Sequence, residues 1–434
     1  MRRLPEWNKG RPVYGSFETK ASTQATEPRN PLDPSSFWNA SIRRLEELER
    51  KIDILLPSEN VRGKADPVLQ EALAKYANVV WNAATRLPFS EDIDALIRSA
   101  QVLAPHPVFV VGVHRSGTTL MHHLLDGHPA LVVLPSEGTY LTNFYPRLRR
   151  MDEDAGIAHL VQHWIPRLIN PNNQPPYWTL GRTRRDHVPY LSLARNALYL
   201  ADRACSFFNR HAPFQLHLAV VMACYWVRRG HQIDVSKKYW VDKTPLNEFH
   251  VSTLHAAFPK AKFIHVVRDP RAIFASRKQL NINMRGTSGN LLRLLYKIGR
   301  SFRLARQNQV RIGRAVYRVV RYEDLLDDLP GEMASLRTFL GIADHETLRH
   351  PTSSGVPCVA NSSYSLPFAA GQVQNHAATY YQEILTPVEH QLVESITGRY
   401  AQRLGYSIKS RNLISAVVAA SRYVFSSRFD PERK

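Results

Sequence analysis

Cysteine is scarce in this chain. Three cysteines, Cys205, Cys224 and Cys358, occur among 434 residues, and none belongs to a CxxC pair. We therefore expect free thiols in a reducing compartment and no disulfide framework. Apolar runs are also short, and we find none long enough to span a bilayer. The chain opens on polar, proline-containing sequence, so we expect no signal peptide and a cytoplasmic protein.

Acidic residues are in the minority. The chain has 37 aspartates and glutamates against 57 lysines and arginines, which gives a formal net charge of +20. This excess predicts anionic ligands or an anionic membrane surface. No zinc finger or aromatic-plus-basic RNA motif accompanies it, so we expect no nucleic-acid partner. The content of 44% hydrophobic and 22% charged residues is typical of a folded globular protein.

A phosphate-binding loop without its usual lysine is the most informative feature. The segment 107–129, PVFVVGVHRSGTTLMHHLLDGHP, reads as a buried strand, a loop and a helix. Gly112 and Gly117 have the spacing of G-x-x-x-x-G-K-[ST], but Thr118 stands where that motif has lysine. A nucleoside-triphosphate hydrolase needs the lysine for its β- and γ-phosphates. The segment therefore predicts a phosphate site of another kind, with Arg115 as its cation.

A second anion site is indicated within 241–277, VDKTPLNEFHVSTLHAAFPKAKFIHVVRDPRAIFASR. Thr244-Pro245 has the pattern of a helix start. The strand 262–267 leads into Arg268-Asp269-Pro270, where Asp269 is a candidate helix cap. Ser276 falls about two turns into that helix, close enough to Arg268 for both to bind one phosphate. A surface salt bridge between Arg268 and Asp269 explains the same residues equally well.

These segments resemble the sulfotransferase family that uses 3′-phosphoadenosine 5′-phosphosulfate (PAPS). The resemblance covers 108–340 and rests on HRSGTTL at 114–120, VVRDPRAIFAS at 266–276 and VRYEDLL at 320–326. With DKTP at 242–245, it is similar to the branch of protein-tyrosine and related Golgi or bacterial sulfotransferases. It implies an α/β fold with a P-loop-type three-layer core. In that core a central parallel sheet is flanked by helices, with helical insertions and an N-terminal helical extension.

The chain also departs from its resembling family. Golgi members carry an N-terminal membrane anchor, which we do not expect here. Cytosolic small-molecule members cover the cofactor with a C-terminal arginine-lysine-glycine stretch. The comparable region here, 351–376, is polar and irregular. The resemblance therefore does not say which residues contact the adenine.

The resemblance implies roles for individual residues. Arg115 and Lys243 act on the transferring group, and Glu137, in LPSEGTY, is the base. The loop binds the 5′-phosphosulfate, and the later arginine and serine bind the 3′-phosphate, with no metal required. The residues implied to bind PAPS are His114, Arg115, Ser116, Gly117, Thr118, Thr119, Arg268, Ser276 and Tyr322.

The base is the role that the residues themselves leave open. His114, His122 and His123 are alternatives to Glu137, because imidazole titrates near neutral pH. Inside the loop, His114 is better placed to orient backbone or cofactor. We expect His122 and His123 to face outward from the loop helix. A metal site among the histidines of 114–128 is disfavoured, since no carboxylate or cysteine joins them at ligand spacing.

The domain organisation follows from composition and periodicity. We expect a polar, disordered arm over 1–34 and a helical extension over 35–104 that packs on the core, with a dimer contact as the alternative. The sulfotransferase-like domain covers 105–408, with a mostly helical acceptor-side insertion at about 140–240. The tail, 409–434, is amphipathic and either docks on the protein or lies on an anionic membrane.

Three functions are compatible with these features. The first is sulfuryl transfer from PAPS to a hydroxyl of a glycan, lipid or small molecule. The second is an ATP–magnesium kinase, which Thr118 and the second phosphate site disfavour. The third is a non-catalytic protein that binds polyanions or a membrane surface. It is disfavoured because all the expected site residues are retained, namely Arg115, Lys243, Glu137, Arg268 and Ser276. Acceptor identity and oligomeric state are not predicted.

Overall fold

The computed structural model describes nine stretches of the chain. They are 34–55, 102–148, 150–151, 237–283, 289–353, 356–358, 370–373, 379–409 and 418–421, with single positions at 68, 71, 75, 79 and 415. Our predictions for the polar arm, most of the insertion, Cys205, Cys224 and most of the tail lie outside these residues.

The chain divides into two compact units. One comprises Met1–Ala104 and Asn143–Val235, and the other comprises Pro105–Thr142 and Ser236–Lys434. In the first unit, α1 (Pro34–Leu55) occupies a stretch that the sequence predicted to be helical, and it buries Leu45 and Leu48. The second unit contains the predicted site residues.

A five-stranded parallel sheet forms the centre of the second unit, which confirms the predicted α/β class. Its order is β2-β3-β1-β4-β5. The strands are β1 (Pro107–Val111), β2 (Leu131–Glu137), β3 (Tyr239–Lys243), β4 (Lys262–Val267) and β5 (Tyr317–Arg321). Because β1 lies between β3 and β4, the carboxyl ends of these three strands meet at one edge of the sheet.

Both faces of β1 are buried, as a covered parallel strand requires. Val108 and Val110 pack in a cluster with Met121 and Leu124 of the helix that follows the loop. Phe109 points to the other face, where its ring lies 5.7 Å from that of Trp240. The sheet therefore holds the loop through apolar contacts on both sides.

The remaining helices of the second unit flank the sheet. They are α2 (Thr118–Leu125), α4 (Val251–Ala257), α5 (Pro270–Asn283), α6 (Gly289–Ile312), α7 (Tyr322–Asp327), α8 (Leu329–Leu340), α9 (Tyr381–Ile384) and α10 (Pro387–Gln402), whereas α3 (Tyr145–Leu148) belongs to the first unit. A π-helix covers Tyr140–Phe144, 3₁₀ turns cover Asn247–His250 and Glu346–Arg349, and β6 (Thr352–Ser353) pairs with β7 (Val356–Pro357). No helix in the described stretches is long and apolar enough to cross a membrane.

One predicted helix start is confirmed and one is wrong. The Asp269 carboxylate accepts a hydrogen bond from the Arg271 N–H at the start of α5, as expected of a cap, and Thr386 and Glu389 form a capping box at the start of α10. Thr244-Pro245, in contrast, lies in a turn, and α4 begins only at Val251. Leu246 has φ +74° there, which no helix tolerates.

A buried carboxylate supports the backbone of the loop. The Gly112 N–H donates to Glu248 Oε2 at 3.2 Å, and Glu248 is 1% exposed. Burial raises the pKa of Glu248 to about 7. Asn308 of α6 donates to the Glu248 carbonyl at 3.4 Å. The loop is thereby connected to α6.

Behind the sheet, the same network continues through buried polar side chains. Asn308 Nδ2 also donates to the Tyr317 hydroxyl, and His265 lies between that hydroxyl at 2.6 Å and Ser301 Oγ at 3.0 Å. Burial lowers the pKa of His265 to about 3, so its ring is neutral at physiological pH.

Replacing Glu248 with glutamine keeps an acceptor for the Gly112 N–H and removes the titrating carboxyl. The folded-state pKa of about 7 lies above the usual 4.5, so the stability gained from protonation is complete below about pH 4.5 and is lost as the pH rises through about 7. We expect the Tm of E248Q to exceed that of the wild type by an increment that grows over this range, measured by thermal unfolding.

His265 also makes stability depend on pH, and comparison of E248Q with the wild type removes this contribution. Its lowered pKa makes the protein less stable as the pH falls through the usual 6.5, opposite in sign to Glu248, but the group is present in both proteins and cancels in the difference. A Tm difference that does not change with pH would contradict the assignment.

Candidate active site

The loop between β1 and α2 requires both of its glycines. A Cβ atom on Gly112 (φ +145°) would lie 2.5 Å from the Val266 carbonyl oxygen. A Cβ atom on Gly117 (φ +99°) would lie 2.2 Å from Cδ2 of Tyr322. Both φ values are ones that side chains other than glycine rarely adopt. Close packing of the loop against β4 and α7 therefore explains the glycine spacing.

The two predicted anion segments converge on this loop. Arg115 Nε donates to Ser276 Oγ at 2.9 Å, and Arg268 Nη1 donates to the Arg115 carbonyl at 3.2 Å. Arg268 is buried, with 6% of its surface exposed. Asp269 pairs with Arg271 at 2.6 Å, so the alternative of a surface salt bridge between Arg268 and Asp269 is wrong. The Arg115 side chain thus lies among the residues expected at the 3′-phosphate.

Residues 321–324, RYED, lie against Arg268 and the loop. The Arg268 guanidinium lies 4.5 Å from the centroid of the Tyr322 ring. The next residue, Glu323, accepts from the Asp269 N–H at 2.8 Å and from the Tyr406 hydroxyl at 2.8 Å. Tyr322 therefore contacts both the loop and Arg268.

A second group of predicted residues lies at the start of α2. Lys243 Nζ lies 2.8 Å from Glu137 Oε1 and 3.4 Å from Thr119 Oγ1. The Lys243 side chain is 7% exposed and that of Glu137 is 35% exposed. Thr119 occupies the [ST] position of the loop motif. The loop has Thr118 where its motif has lysine, and Lys243 of β3 supplies a cation beside the loop instead.

Two residues to which the sequence assigned no role in the site hold the turn after Glu137. Asp242 Oδ1 accepts from the Gly138 N–H at 3.2 Å, and Thr244 Oγ1 accepts from the Thr139 N–H at 2.9 Å. Thr244 also donates to Asp242. Both residues belong to DKTP, the motif that also contains Lys243, so the motif itself could have pointed to them. Glu137 itself is the last residue of β2, not part of the loop after it.

The histidines of the loop helix do not face outward, contrary to our prediction. His122 is 2% exposed and donates from Nε2 to the Leu134 carbonyl at 2.6 Å. His123 is 5% exposed, with Nδ1 3.0 Å from Cys358 Sγ. Within the described stretches, no three histidine, cysteine, aspartate or glutamate side chains are grouped as metal ligands.

His114 is the histidine that stays exposed beside the loop. Part of the ring is nevertheless surrounded by protein atoms, and this desolvation is the main cause that lowers its pKa; Arg277, Lys243 and Lys297 add to the effect, whereas Glu137 opposes it. Its ring is therefore close to the charges of the Glu137–Lys243 pair.

A cavity of about 430 Å³ opens beside the loop. One wall is formed by Leu246, whose N–H donates to the Gly112 carbonyl at 3.1 Å. Arg300 stacks over Phe249, 4.5 Å from the ring centroid. The cavity thus combines aromatic, apolar and cationic surface. Its lining residues are Thr142, Leu246, Phe249, His250, Arg293, Tyr296, Lys297 and Arg300.

Comparison with known proteins gives consistent matches. Residues 107–346 match the model of the Sulfotransferase family. The chain is 26% identical over 273 residues to the omega-hydroxy-beta-dihydromenaquinone-9 sulfotransferase Stf3 of Mycobacterium tuberculosis, covering 56% of this chain and 65% of that protein. It is 25% identical over 244 residues to protein-tyrosine sulfotransferase 2 of Gallus gallus, covering 56% of this chain and 53% of that protein. In both cases the match spans less than two thirds of the relative.

Among solved structures, the sulfotransferase domain of the Synechococcus PCC 7002 olefin synthase overlaps with a TM-score of 0.44 at 18% identity, covering 70% of this chain and 95% of that one. The family model covers more than half of the chain and includes all the strands of the parallel sheet. The resemblance to the branch of protein-tyrosine and bacterial enzymes is confirmed by the relatives above. This chain belongs to the sulfotransferase family.

Proposed function

We propose that the protein transfers a sulfuryl group from PAPS to a hydroxyl group of an acceptor. The observation that carries the proposal is the convergence of Arg268 and Ser276 on Arg115 of the loop. Two cationic side chains and a hydroxyl meet at the carboxyl edge of a parallel sheet, where anionic ligands bind in such folds. A kinase needs one cluster of cations, at the loop that binds the phosphates of ATP. PAPS carries a separate 3′-phosphate, which requires a second cluster of cations.

The loop fits such a ligand. Ser116 Oγ is fully buried and has no hydrogen-bond partner among the described residues. A buried polar atom in this position is costly unless a ligand satisfies it. Backbone N–H groups at the start of α2 favour negative charge at the same place. We infer that residues 114–119 hold the 5′-phosphosulfate. The Arg115 side chain also reaches the 3′-phosphate end, which Arg268, Ser276 and the Tyr322 ring hold.

Glu137 and Lys243 divide the work of transfer in this proposal. PAPS supplies the sulfuryl group, and its bond to the 5′-phosphate breaks as the acceptor oxygen bonds to sulfur. Glu137, the more exposed partner, accepts the proton of the acceptor hydroxyl. Lys243 is buried beside Thr119 and stabilises negative charge on the leaving phosphate. Their contact at 2.8 Å places the base next to the cation, so both can reach the transferring group from the same part of the site.

The acceptor is a hydroxyl-bearing lipid, glycan or small molecule. The cavity of about 430 Å³ beside the loop has room for part of such a molecule. Its apolar wall, Leu246 and Phe249, favours an acceptor with a hydrophobic portion. Stf3 is named for an omega-hydroxylated menaquinone, which supports a lipid hydroxyl as one candidate. The role of each residue can be tested by a separate substitution.

Calorimetry should show magnesium-independent binding of adenosine 3′,5′-bisphosphate, with weaker binding of adenosine 5′-diphosphate and ATP. Arg268→Ala removes a charged partner of the 3′-phosphate and should weaken binding of the bisphosphate by roughly 10- to 100-fold. Its affinity for adenosine 5′-diphosphate should change little. Arg314→Ala, which removes an exposed arginine elsewhere, is the control.

A preference for ATP with magnesium would instead support a kinase. Absence of any nucleotide binding would support a non-catalytic protein.

Two glycines with similar backbone angles give a matched test of the cradle. Gly117 has φ +99° and a crowded Cβ position, whereas Gly313 has φ +88° and nothing within 4 Å of its Cβ position. Both alanine variants carry a backbone penalty of about 1 kcal/mol. Only G117A displaces Tyr322, so we expect G117A to lose bisphosphate binding and G313A to keep it. Equal affinities in calorimetry would show that the loop tolerates the displacement.

Glu137→Gln tests the base. The variant keeps the shape of the side chain but cannot accept a proton, so turnover should fall by at least about 100-fold. Affinity for adenosine 3′,5′-bisphosphate should stay within about twofold of the wild type, because Glu137 lies on the acceptor side. The measurement is sulfuryl transfer from radiolabelled PAPS to candidate acceptors, with His114→Gln as the comparison. Retained turnover in E137Q together with its loss in H114Q would move the base to His114.

A further inference from the structure

Helix α6 presents an exposed face of a single charge sign. Its 24 residues contain no aspartate or glutamate. Within the described part of the chain, none of its cations forms an ion pair with a carboxylate. They lie three to five residues apart along the helix, and all but the half-buried Lys297 are exposed. The cations are Arg293, Lys297, Arg300, Arg303, Arg306 and Arg311.

The orientation of this face is fixed by the opposite side of the helix. Leu295, Ile298, Phe302 and Ala305 are fully or almost fully buried. They belong to one apolar cluster with residues of α5 and α10. The helix is anchored through this side over most of its length, so the basic face stays turned outward. At 1.5 Å per residue it extends over about 36 Å.

Two large apolar side chains are exposed within the basic face. Tyr296 is 65% exposed and Val310 is 78% exposed. Val310 follows Arg303 by seven residues, which places both on the same side of the helix. Tyr296 lies one turn before Arg300. The basic face therefore combines exposed cations with exposed apolar surface.

We propose that this basic face docks the protein on an anionic phospholipid membrane. Phosphate headgroups complement exposed arginines, and each basic residue near such a surface contributes to binding. Tyrosine and aliphatic side chains enter the interface beneath the headgroups. A nucleic acid would also attract the arginines, but it would leave Val310 in water. The mixture of cations and apolar groups therefore favours a membrane.

Docking in this orientation has a consequence for the acceptor, which rests on the proposed function. Arg293, Tyr296 and Arg300 belong both to the basic face and to the lining of the cavity beside the loop. A docked protein thus has its cavity open next to the headgroups. A hydroxylated lipid could reach the site from the membrane without crossing bulk water.

Vesicle co-sedimentation of the full chain tests the proposal. The probes are phosphatidylcholine vesicles and vesicles of equal parts phosphatidylcholine and phosphatidylglycerol. We expect binding to the anionic vesicles only. The double variant Arg303→Gln/Arg306→Gln lies outside the cavity lining and should weaken this binding by roughly 25-fold, about fivefold per residue. Adding Val310→Ser to the double variant should weaken binding to the anionic vesicles further.

The matched control is Lys260→Gln/Arg399→Gln, which removes two exposed cations from other elements. This variant should bind anionic vesicles within about twofold of the wild type. All variants should retain the wild-type affinity for adenosine 3′,5′-bisphosphate and the wild-type Tm. This separates the surface from the nucleotide site, so either inference can fail alone.

Three results would overturn the proposal. One is absence of binding to anionic vesicles. Another is equal loss in the α6 and control variants, or no loss in either, since binding would then reflect net charge or another segment. The last is tighter binding to a DNA duplex than to anionic vesicles, with no effect of Val310→Ser.

Discussion

The position of β1 between β3 and β4 is the constraint on which the site depends. Because all three strands run in parallel, Gly112, Lys243 and Arg268 come together although they are distant in sequence. The connection after β3 is bonded directly to the loop, since the Thr244 N–H donates to the Val110 carbonyl at 3.3 Å and the Leu246 N–H donates to that of Gly112 at 3.1 Å. Displacing the loop would therefore break hydrogen bonds in a neighbouring strand connection.

Strand register has an equally direct effect on the Glu137–Lys243 pair. The two residues are opposite each other in the pairing of β2 with β3, after a shift in register between Val133 and Glu137. Side chains alternate between the faces of a sheet, so a slip by one residue would separate the carboxylate from the ammonium group. The loop lacks a lysine of its own, and the cation beside Thr119 instead depends on the correct pairing of two other strands. Fold and site are coupled through this register.

The parts of the site that could be predicted are those with local signatures. Glycine spacing and the change from strand to helix marked the loop, and Asp269-Pro270 marked the start of α5. The inward direction of His122 and His123 had no such signature. Their partners, the Leu134 carbonyl and Cys358, come from other segments, and α2 is enclosed on more than one side. Periodicity cannot reveal polar residues that tertiary contacts satisfy.

The residues missed or misread share the same cause. Glu248 is a buried carboxylate whose role is to accept from the Gly112 N–H, and nothing in its neighbourhood in the sequence announces burial. Thr244-Pro245 fits the pattern of a helix start, but the bond from Leu246 to Gly112 holds Leu246 at positive φ. Here a tertiary hydrogen bond overrides a local preference, as is common where strands end.

Backbone strain is concentrated around the loop. Among the described residues, the non-glycine residues with positive φ are Arg115 at 73°, Thr139 at 52° and Leu246 at 74°. Each conformation costs about 1 kcal/mol or more, and it persists only where surrounding contacts enforce it. Arg115 is held through Ser276 and Arg268, Thr139 through Thr244, and Leu246 through Gly112. The fold thus stabilises the donors of the site in place before a ligand arrives, and a preorganised anion site needs less reorganisation when charge develops on the leaving group.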